Sequence, residues 1–195
     1  MTRAEDFWKG VEGNAYTLRN QVDWLARVRF WEIVLRRTGA RNVLDCGCNC
    51  GWNLLAIEVA AKNLGYHVDG AGFDINAGAV AKARASGLNV VRASMADLET
   101  SPARYDLVCT SGVLIHVPPS QIKAAMQSIV TASHRWVLAV EYSASVEKEI
   151  EYRGNAELLW KRPYGMLYRK LGLRENLSGA PAEGYDRCTY WIMEK

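Results

Sequence analysis

Residues 42–55, NVLDCGCNCGWNLL, join a short apolar run to an Asp, to two glycines four positions apart, and then to the start of a helical pattern. A strand that feeds a helix through a glycine loop is the opening unit of an alternating α/β sheet, and such a loop lets backbone approach a ligand where any Cβ would collide. A dinucleotide fingerprint needs G-x-G-x-x-G, whereas this loop holds Gly47, Asn49 and Gly51. The carboxylate of Asp45 at the loop's mouth repels a pyrophosphate and suits a ligand whose near end is cationic.

The rest of the chain repeats the alternation. Apolar spacing predicts a helix over 20–37 stopped by Gly39, a first strand over 42–46, a helix over 54–64 ending at Gly65, and a second strand over 66–73 closing on Asp74. An Ala-rich helix over 76–86 follows, then strands over 88–93 and 105–110, a helix over 121–132 after Pro118-Pro119, and a fifth strand over 135–141. The fold class is therefore α/β: a doubly wound, mainly parallel, Rossmann-like sheet with helices on both faces and right-handed crossovers. Residues 143–170 break the rhythm as a charged, aromatic, partly helical insertion, and 171–177 with 188–193 supply two closing antiparallel strands, seven in all. One domain results, with a helical cap over 1–38, a cofactor-binding core over 39–142, a substrate lid over 143–170 and closing strands over 171–195.

At 195 residues and 49% hydrophobic, the chain suits one such domain. The net charge of +3 from 24 basic and 21 acidic residues is too balanced for a surface built wholly to hold nucleic acid. Residues 1–10 mix charges with Phe7 and Trp8, and no apolar run approaches a membrane span, so a cytoplasmic protein without membrane contact is expected. Of five cysteines, Cys46, Cys48 and Cys50 alternate through the loop; they lack C-x-x-C spacing, and His67, His116 and His134 add no second ligand pair. No metal is expected, and the thiols read as small side chains of a reducing compartment.

Ligands of open α/β sheets bind beyond the carboxyl ends of the strands, which here carry Asp45, Asp74, Ser94, Ser111 and Glu141. A carboxylate at position 74 can accept from both hydroxyls of a ribose, or cap the helix that follows. Ser94 and Met95 can bracket an adenine ring, while Asp97 equally reads as a helix-start residue. His116 carries an imidazole suited to accept a hydroxyl proton at neutral pH, or it ties loop backbone together. Glu141 and Tyr142 can face the acceptor, or Glu141 can pair with Arg153. Arg153, Lys161, Arg162, Arg169 and Lys170 interleave with Trp160, Tyr164 and Tyr168, which suits either a lid gripping an anionic ring or a solvated helix face.

In order, VLDCGCNCG, GFDIN, ASMADL and YDLVCTSGVLIHVPP resemble the motif set of class I S-adenosylmethionine-dependent methyltransferases over most of the first 140 residues. EDFWKGVEGNAYTLRN and EYSASVEKEIEYRGNAELLWKRPYGMLYRKLGL resemble the pseudaminic acid biosynthesis-associated methylase clade, whose members are associated with the making of surface sugars. Asn49 and Cys50 depart from the commonest G-x-G-x-G loop. The resemblance implies S-adenosyl-L-methionine as donor and S-adenosyl-L-homocysteine as product. Asp45, Gly47, Asn49 and Gly51 would line the methionine moiety, Asp74 and Ile75 hold ribose and adenine, Ser94 and Met95 flank the adenine, and Ser111 sit below the donor. Tyr16, Arg19 and Asn20 share one helical face, from which Arg19 would pair with the methionine carboxylate unless it is a solvated charge. His116 and Glu141 are the catalytic candidates, and Tyr142, Arg153, Lys161 and Tyr164 the acceptor-side ones. The expected acceptor is a small polar metabolite, through an oxygen of a sugar, sugar nucleotide or related acid; no oligomeric state is implied. Two alternatives stand beside it. A nucleic-acid methyltransferase is disfavoured because Ser111 precedes Gly112-Val113, where amino-methylating DNA enzymes carry a Pro-Pro pair, and Pro118-Pro119 comes too late. The other is a catalytically silent donor-binding subunit.

Overall fold

The computed structural model describes residues 2–100, 105–181 and 184–195. Two short helices, α1 (Arg3–Lys9) and α2 (Val11–Arg19), and a 3-10 turn (Trp24–Arg27) precede α3 (Val28–Thr38). The alternating core follows as β1 (Asn42–Cys46), α4 (Trp52–Asn63), β2 (Asp69–Asp74), α5 (Ala77–Ala85), β3 (Asn89–Arg92), β4 (Tyr105–Ser111), α6 (Ile122–Ala132) and β5 (Ser133–Glu141). A ribbon of β6 (Lys148–Glu149) and β7 (Trp160–Lys161), then α7 (Tyr164–Lys170), lead to β8 (Arg174–Gly179) and β9 (Thr189–Glu194).

The main sheet has seven strands in the order β3-β2-β1-β4-β5-β9-β8, and β9 runs antiparallel to both neighbours while β1 to β5 are parallel. The connections reverse direction between β1 and β4, which opens a crevice at their carboxyl ends. Strand residues alternate between two apolar layers. Val43, Leu107 and Leu138 pack with Trp31, Val34, Ile57 and Ala60 beneath α3 and α4, whereas Leu44, Val108 and Val137 pack with Met126, Ile129, Tyr164 and Tyr168 beneath α6 and α7. Both faces of the central strands are covered, as a parallel sheet requires, and each fully buried Leu or Ile contributes about 1.5–3 kcal/mol.

Three segments differ from the pattern read along the chain. The predicted helix over 20–37 begins only at Val28, after the 3-10 turn. The second strand starts at Asp69 rather than at Tyr66, because Gly65 at φ +78° lets the Gly65 and Tyr66 amides bond back to the Lys62 and Ala61 carbonyls and close α4. In the insertion, helix is confined to Tyr164–Lys170. Among the described residues no helix is long and apolar enough to cross a membrane.

Candidate functional site

Gly47, Asn49 and Gly51 all have left-handed backbone, with φ of +70°, +48° and +81°. Asn is one of the few side chains that tolerates this region, so the loop keeps its shape without a middle glycine. Gly47 cannot change: a Cβ there would lie 2.5 Å from Cγ2 of Val113. The amides of Gly47 and Cys48 donate to the Phe73 carbonyl at 2.8 and 2.9 Å, which moors the loop to β2. At the end of that strand Asp74 accepts from the Asn49 amide at 2.8 Å (Oδ2) and from the Asn76 amide at 2.8 Å (Oδ1). Burial raises its pKa, and the backbone donors partly offset this. The Ile75 amide is a third backbone donor, which leaves the carboxylate acceptor capacity for a further hydrogen bond.

A cleft of about 340 Å³ opens above this loop. The N-terminal cap roofs it. Asn76 Nδ2 donates to the Trp8 carbonyl at 3.1 Å and to Asn14 Oδ1 at 2.9 Å, and Asn49 Nδ2 donates to Thr17 Oγ1 at 3.1 Å. Gly13 lets α2 lie against α1, since a Cβ there would sit 1.8 Å from the Trp8 carbonyl oxygen.

Of the donor-site residues expected from the sequence, Tyr16, Gly47, Asn49 and Asp74 line the cleft, as do Ile75, Ser94, Met95 and Ser111. Three do not. Asp45, 1% exposed, is buried beneath the loop. Its Oδ2 accepts from Asn53 Nδ2 at 3.3 Å and its Oδ1 from the Cys109 thiol at 3.5 Å, and burial pushes its pKa up to about 7. Gly51 is also buried, at the start of α4, where a Cβ would lie 2.2 Å from Leu88 Cδ1. Arg19 is exposed, with Nη2 donating to the Tyr152 hydroxyl at 3.3 Å. The cation that lines the cleft is Arg27. Its Nε donates to the Gly184 carbonyl at 2.9 Å and its Nη1 to Asn53 Oδ1 at 2.8 Å, and its guanidinium stacks 4.4 Å from the centre of the Tyr185 ring. A reading that runs one helix through 20–37 makes Arg27 a surface charge; only the 3-10 turn aims it inward. Asn20 lines the cleft beside Tyr16, with which it shares a helical face, and Trp8, Thr2 and Glu5 line it without a prior signal in the sequence.

Among the catalytic candidates, His116 lines the cleft. Its ring packs 4.4 Å from that of Trp8, and Nδ1 lies 2.8 Å from the Leu158 carbonyl oxygen. A carbonyl only accepts, so Nδ1 carries the proton and Nε2 keeps its lone pair; burial lowers the pKa to about 4. Glu141 does not line the cleft. It is fully buried below the turn that follows β4, and its Oε1 accepts from the amides of Val113 and Leu114 at 3.2 and 3.1 Å. Burial raises its pKa to about 7.

Of the acceptor-side candidates Tyr142 and Lys161 meet each other, and none of the four lines the cleft. Tyr164 is a core residue with no exposure, its hydroxyl donating to the Trp160 carbonyl at 3.1 Å. Arg153 is exposed on a tight turn closed by Tyr152 and Asn155. Tyr142 lies outside the cleft lining, bonded through its hydroxyl to Asp186, with Lys161 Nζ 5.6 Å from the centre of its ring. All five cysteines are free and buried, and among the described residues no group of His, Cys, Asp and Glu could hold a metal ion.

Residues 43–134 match the family model of the methyltransferase domain. The matched stretch runs from β1 into the start of β5, and the seven-stranded sheet is the Rossmann-like fold of S-adenosylmethionine-dependent methyltransferases. Among solved structures the chain is similar to the magnesium protoporphyrin IX methyltransferase of Synechocystis PCC 6803 with bound S-adenosylhomocysteine, at 14% identity and a TM-score of 0.69, over 98% of this chain and 97% of that one. It is similar to the sugar N-methyltransferase KedS8 of a Streptoalloteichus species at 15% identity and a TM-score of 0.69, over 96% of this chain and 93% of that one. The 1,6-didemethyltoxoflavin N1-methyltransferase of Burkholderia thailandensis superposes with a TM-score of 0.71 at 14% identity, over 98% of this chain and 86% of that one. No curated protein matches the sequence.

Proposed function

We propose that the chain is an S-adenosylmethionine-dependent methyltransferase acting on a small polar metabolite, with His116 as the base that takes the acceptor's proton. The observation that carries this reading is that Arg27, the glycine loop, Asp74, the Ser94-Met95 pair and His116 all border one continuous cleft. The residues fit the donor: Arg27 offers a cation to a carboxylate, Asp74 keeps acceptor capacity for a ribose hydroxyl, and Ile75 and Met95 offer apolar faces to an adenine. Gly47 borders the cleft through its backbone alone, with no side chain of its own between the loop and a ligand. When bound, S-adenosylmethionine supplies a methyl group already activated on a sulfonium.

The protein's own contribution is then mostly positioning and one proton transfer. His116 suits the second task, because a neutral imidazole with Nδ1–H committed to Leu158 can accept only at Nε2. An oxygen of a sugar, sugar nucleotide or related acid is the acceptor we favour. Arg19 meets Tyr152, whose ring packs 5.9 Å from that of His116, so a cation stands near the base where an anionic acceptor would enter. The resemblance to the pseudaminic acid-associated clade supports the same choice.

Calorimetry with S-adenosylmethionine tests the donor, and binding is the expected result; no heat at millimolar donor rejects the reading. Mass spectrometry of sugar-nucleotide extracts treated with wild-type and His116→Asn protein tests the acceptor and the base. A gain of one methyl group that survives the substitution at full rate removes His116 from catalysis.

A further inference from the structure

The turn that presents His116 is gripped by buried charge from two sides. From the end of β5, Glu141 takes the amides of Val113 and Leu114 on a single oxygen. From the ribbon, Arg162, only 1% exposed, donates through Nη1 to the Leu114 carbonyl at 3.0 Å and through Nη2 to the Val117 carbonyl at 2.8 Å. Its Nε pairs with Glu147 at 2.6 Å, nearer the surface. Leu158, four residues before Arg162, holds the imidazole itself through its carbonyl.

Burying a guanidinium is costly, and an apolar side chain of similar volume would fill the same space at less cost. What the guanidinium adds is geometry: a rigid fork meets two carbonyls three residues apart, one at each end of the 3-10 turn Leu114–His116. Orientation of His116 depends on two matched contacts, the turn's backbone and the ring's Nδ1–H, and both reach it from 158–162. The ribbon is itself pinned, by the Ile150 amide to the Leu159 carbonyl at 2.8 Å and by the Ala144 amide to the Arg162 carbonyl at 3.3 Å. This segment is built as a brace.

We propose that Arg162 and Glu141 are positioning residues, a two-sided clamp on residues 113–117 that holds the His116 ring against the Leu158 carbonyl and so keeps Nε2 as its accepting nitrogen. The inference rests on His116 serving as the base, as proposed above. Trp8 from α1, Tyr152 from the turn of the insertion and the Leu158 carbonyl pack on the ring, and of these only the carbonyl bonds to it.

The test is spectroscopic and needs no acceptor. With 15N-labelled histidine, long-range proton–nitrogen correlation spectra show three imidazoles, and His116→Asn assigns the one of interest. In the wild type His116 is expected as the neutral Nδ1–H tautomer, with its titration midpoint at about 4. Arg162→Met is expected to bring up the Nε2–H tautomer and to move the midpoint toward the free value near 6.5. Arg162→Lys, which can reach one carbonyl but not both, should lie between. Glu141→Leu should behave as Arg162→Met does, and Glu141→Gln, which still accepts both amides, should match the wild type. An unchanged His116 signature in folded Arg162→Met overturns the proposal, and Arg162→Lys decides in the same way should the methionine variant not fold. An unchanged signature in Glu141→Leu removes Glu141 from the clamp. Donor calorimetry on the same samples separates the two readings: all Arg162 variants should bind S-adenosylmethionine as the wild type does, whereas a wild type that binds none defeats the proposed function and leaves the clamp standing.

Discussion

The backbone nitrogen of Asn49 lies 2.8 Å from Oδ2 of Asp74, which makes the loop after β1 and the acid at the end of β2 a single unit. Through that bond the carboxylate is aimed before any ligand arrives, and the loop is held in its left-handed course. Asp74→Asn should therefore act twice, by removing the charge that strengthens ribose hydrogen bonds and by opposing an amide N–H₂ to a backbone donor. Hydrogen bonds to a charged group are worth about 1.5–3 kcal/mol each, so donor affinity is expected to fall about 100-fold or more. Calorimetry with S-adenosylmethionine measures it, and a loss under tenfold would contradict this role.

Asn49 separates loop shape from cap attachment. Asn49→Gly keeps the positive φ and loses only the side-chain bonds to Thr17 and to the Cys50 amide, so the loop should survive while the cap is held less firmly. Asn49→Ala loses the same bonds and adds the left-handed penalty of about 1–2 kcal/mol. Urea midpoints should rank wild type, then glycine, then alanine. Alanine ranking above glycine would show that the backbone conformation at this position is not what Asn49 is needed for.

Arg27 and Arg19 offer a direct contrast, since one lines the cleft and the other meets Tyr152 outside it. Arg27→Met is expected to weaken donor binding about tenfold or more, by removing the only lysine or arginine of the described residues that borders the cleft. Arg19→Met should leave donor affinity near the wild-type value. If the two effects are reversed, the methionine end of the donor lies elsewhere in the cleft.

What could be read along the chain was whatever is local to it. Gly47, Asn49 and Gly51 announce a left-handed loop by residue type, and Asp74 announces itself by closing an apolar strand before a helix. Residues whose role depends on chain reversal gave no such signal. Trp8 reaches the cleft only because α1 folds back over the sheet, and Arg27 only because the helix expected over 20–37 breaks into a 3-10 turn. Glu141 and Tyr164 lie deeper than their sequence context suggests for one reason, that burial is not written in residue type. A Glu at a strand end and a Tyr between basic residues both look like surface groups, yet the partners they meet are backbone amides 27 and 28 positions away, both on Oε1 of the Glu, and a carbonyl four residues back.

Three carboxyls whose pKa burial raises and one imidazole whose pKa burial lowers also fix how stability should vary between about pH 5 and 7. Asp45 and Glu141 have folded-state values of about 7, above their ordinary 3.8 and 4.5, and burial raises Asp74 as well. Between their unfolded and folded values the folded protein holds the extra protons, so these groups lend stability that declines as pH rises toward 7 and is level above it. His116 runs the other way: its folded value of about 4 lies below 6.5, the unfolded chain binds its proton first, and stability rises with pH across that interval. Between about pH 5 and 7 the carboxyls outnumber the imidazole, and each proton of difference changes stability by about 1.4 kcal/mol per pH unit. Wild-type urea midpoints should accordingly fall from about pH 5 to 7. Glu141→Gln removes one titrating carboxyl while retaining an acceptor for the Val113 and Leu114 amides, so its slope should be shallower. A wild-type midpoint that climbs through this range would mean that Asp45 and Glu141 are ionised in the folded protein, and that a cation compensates them inside the core.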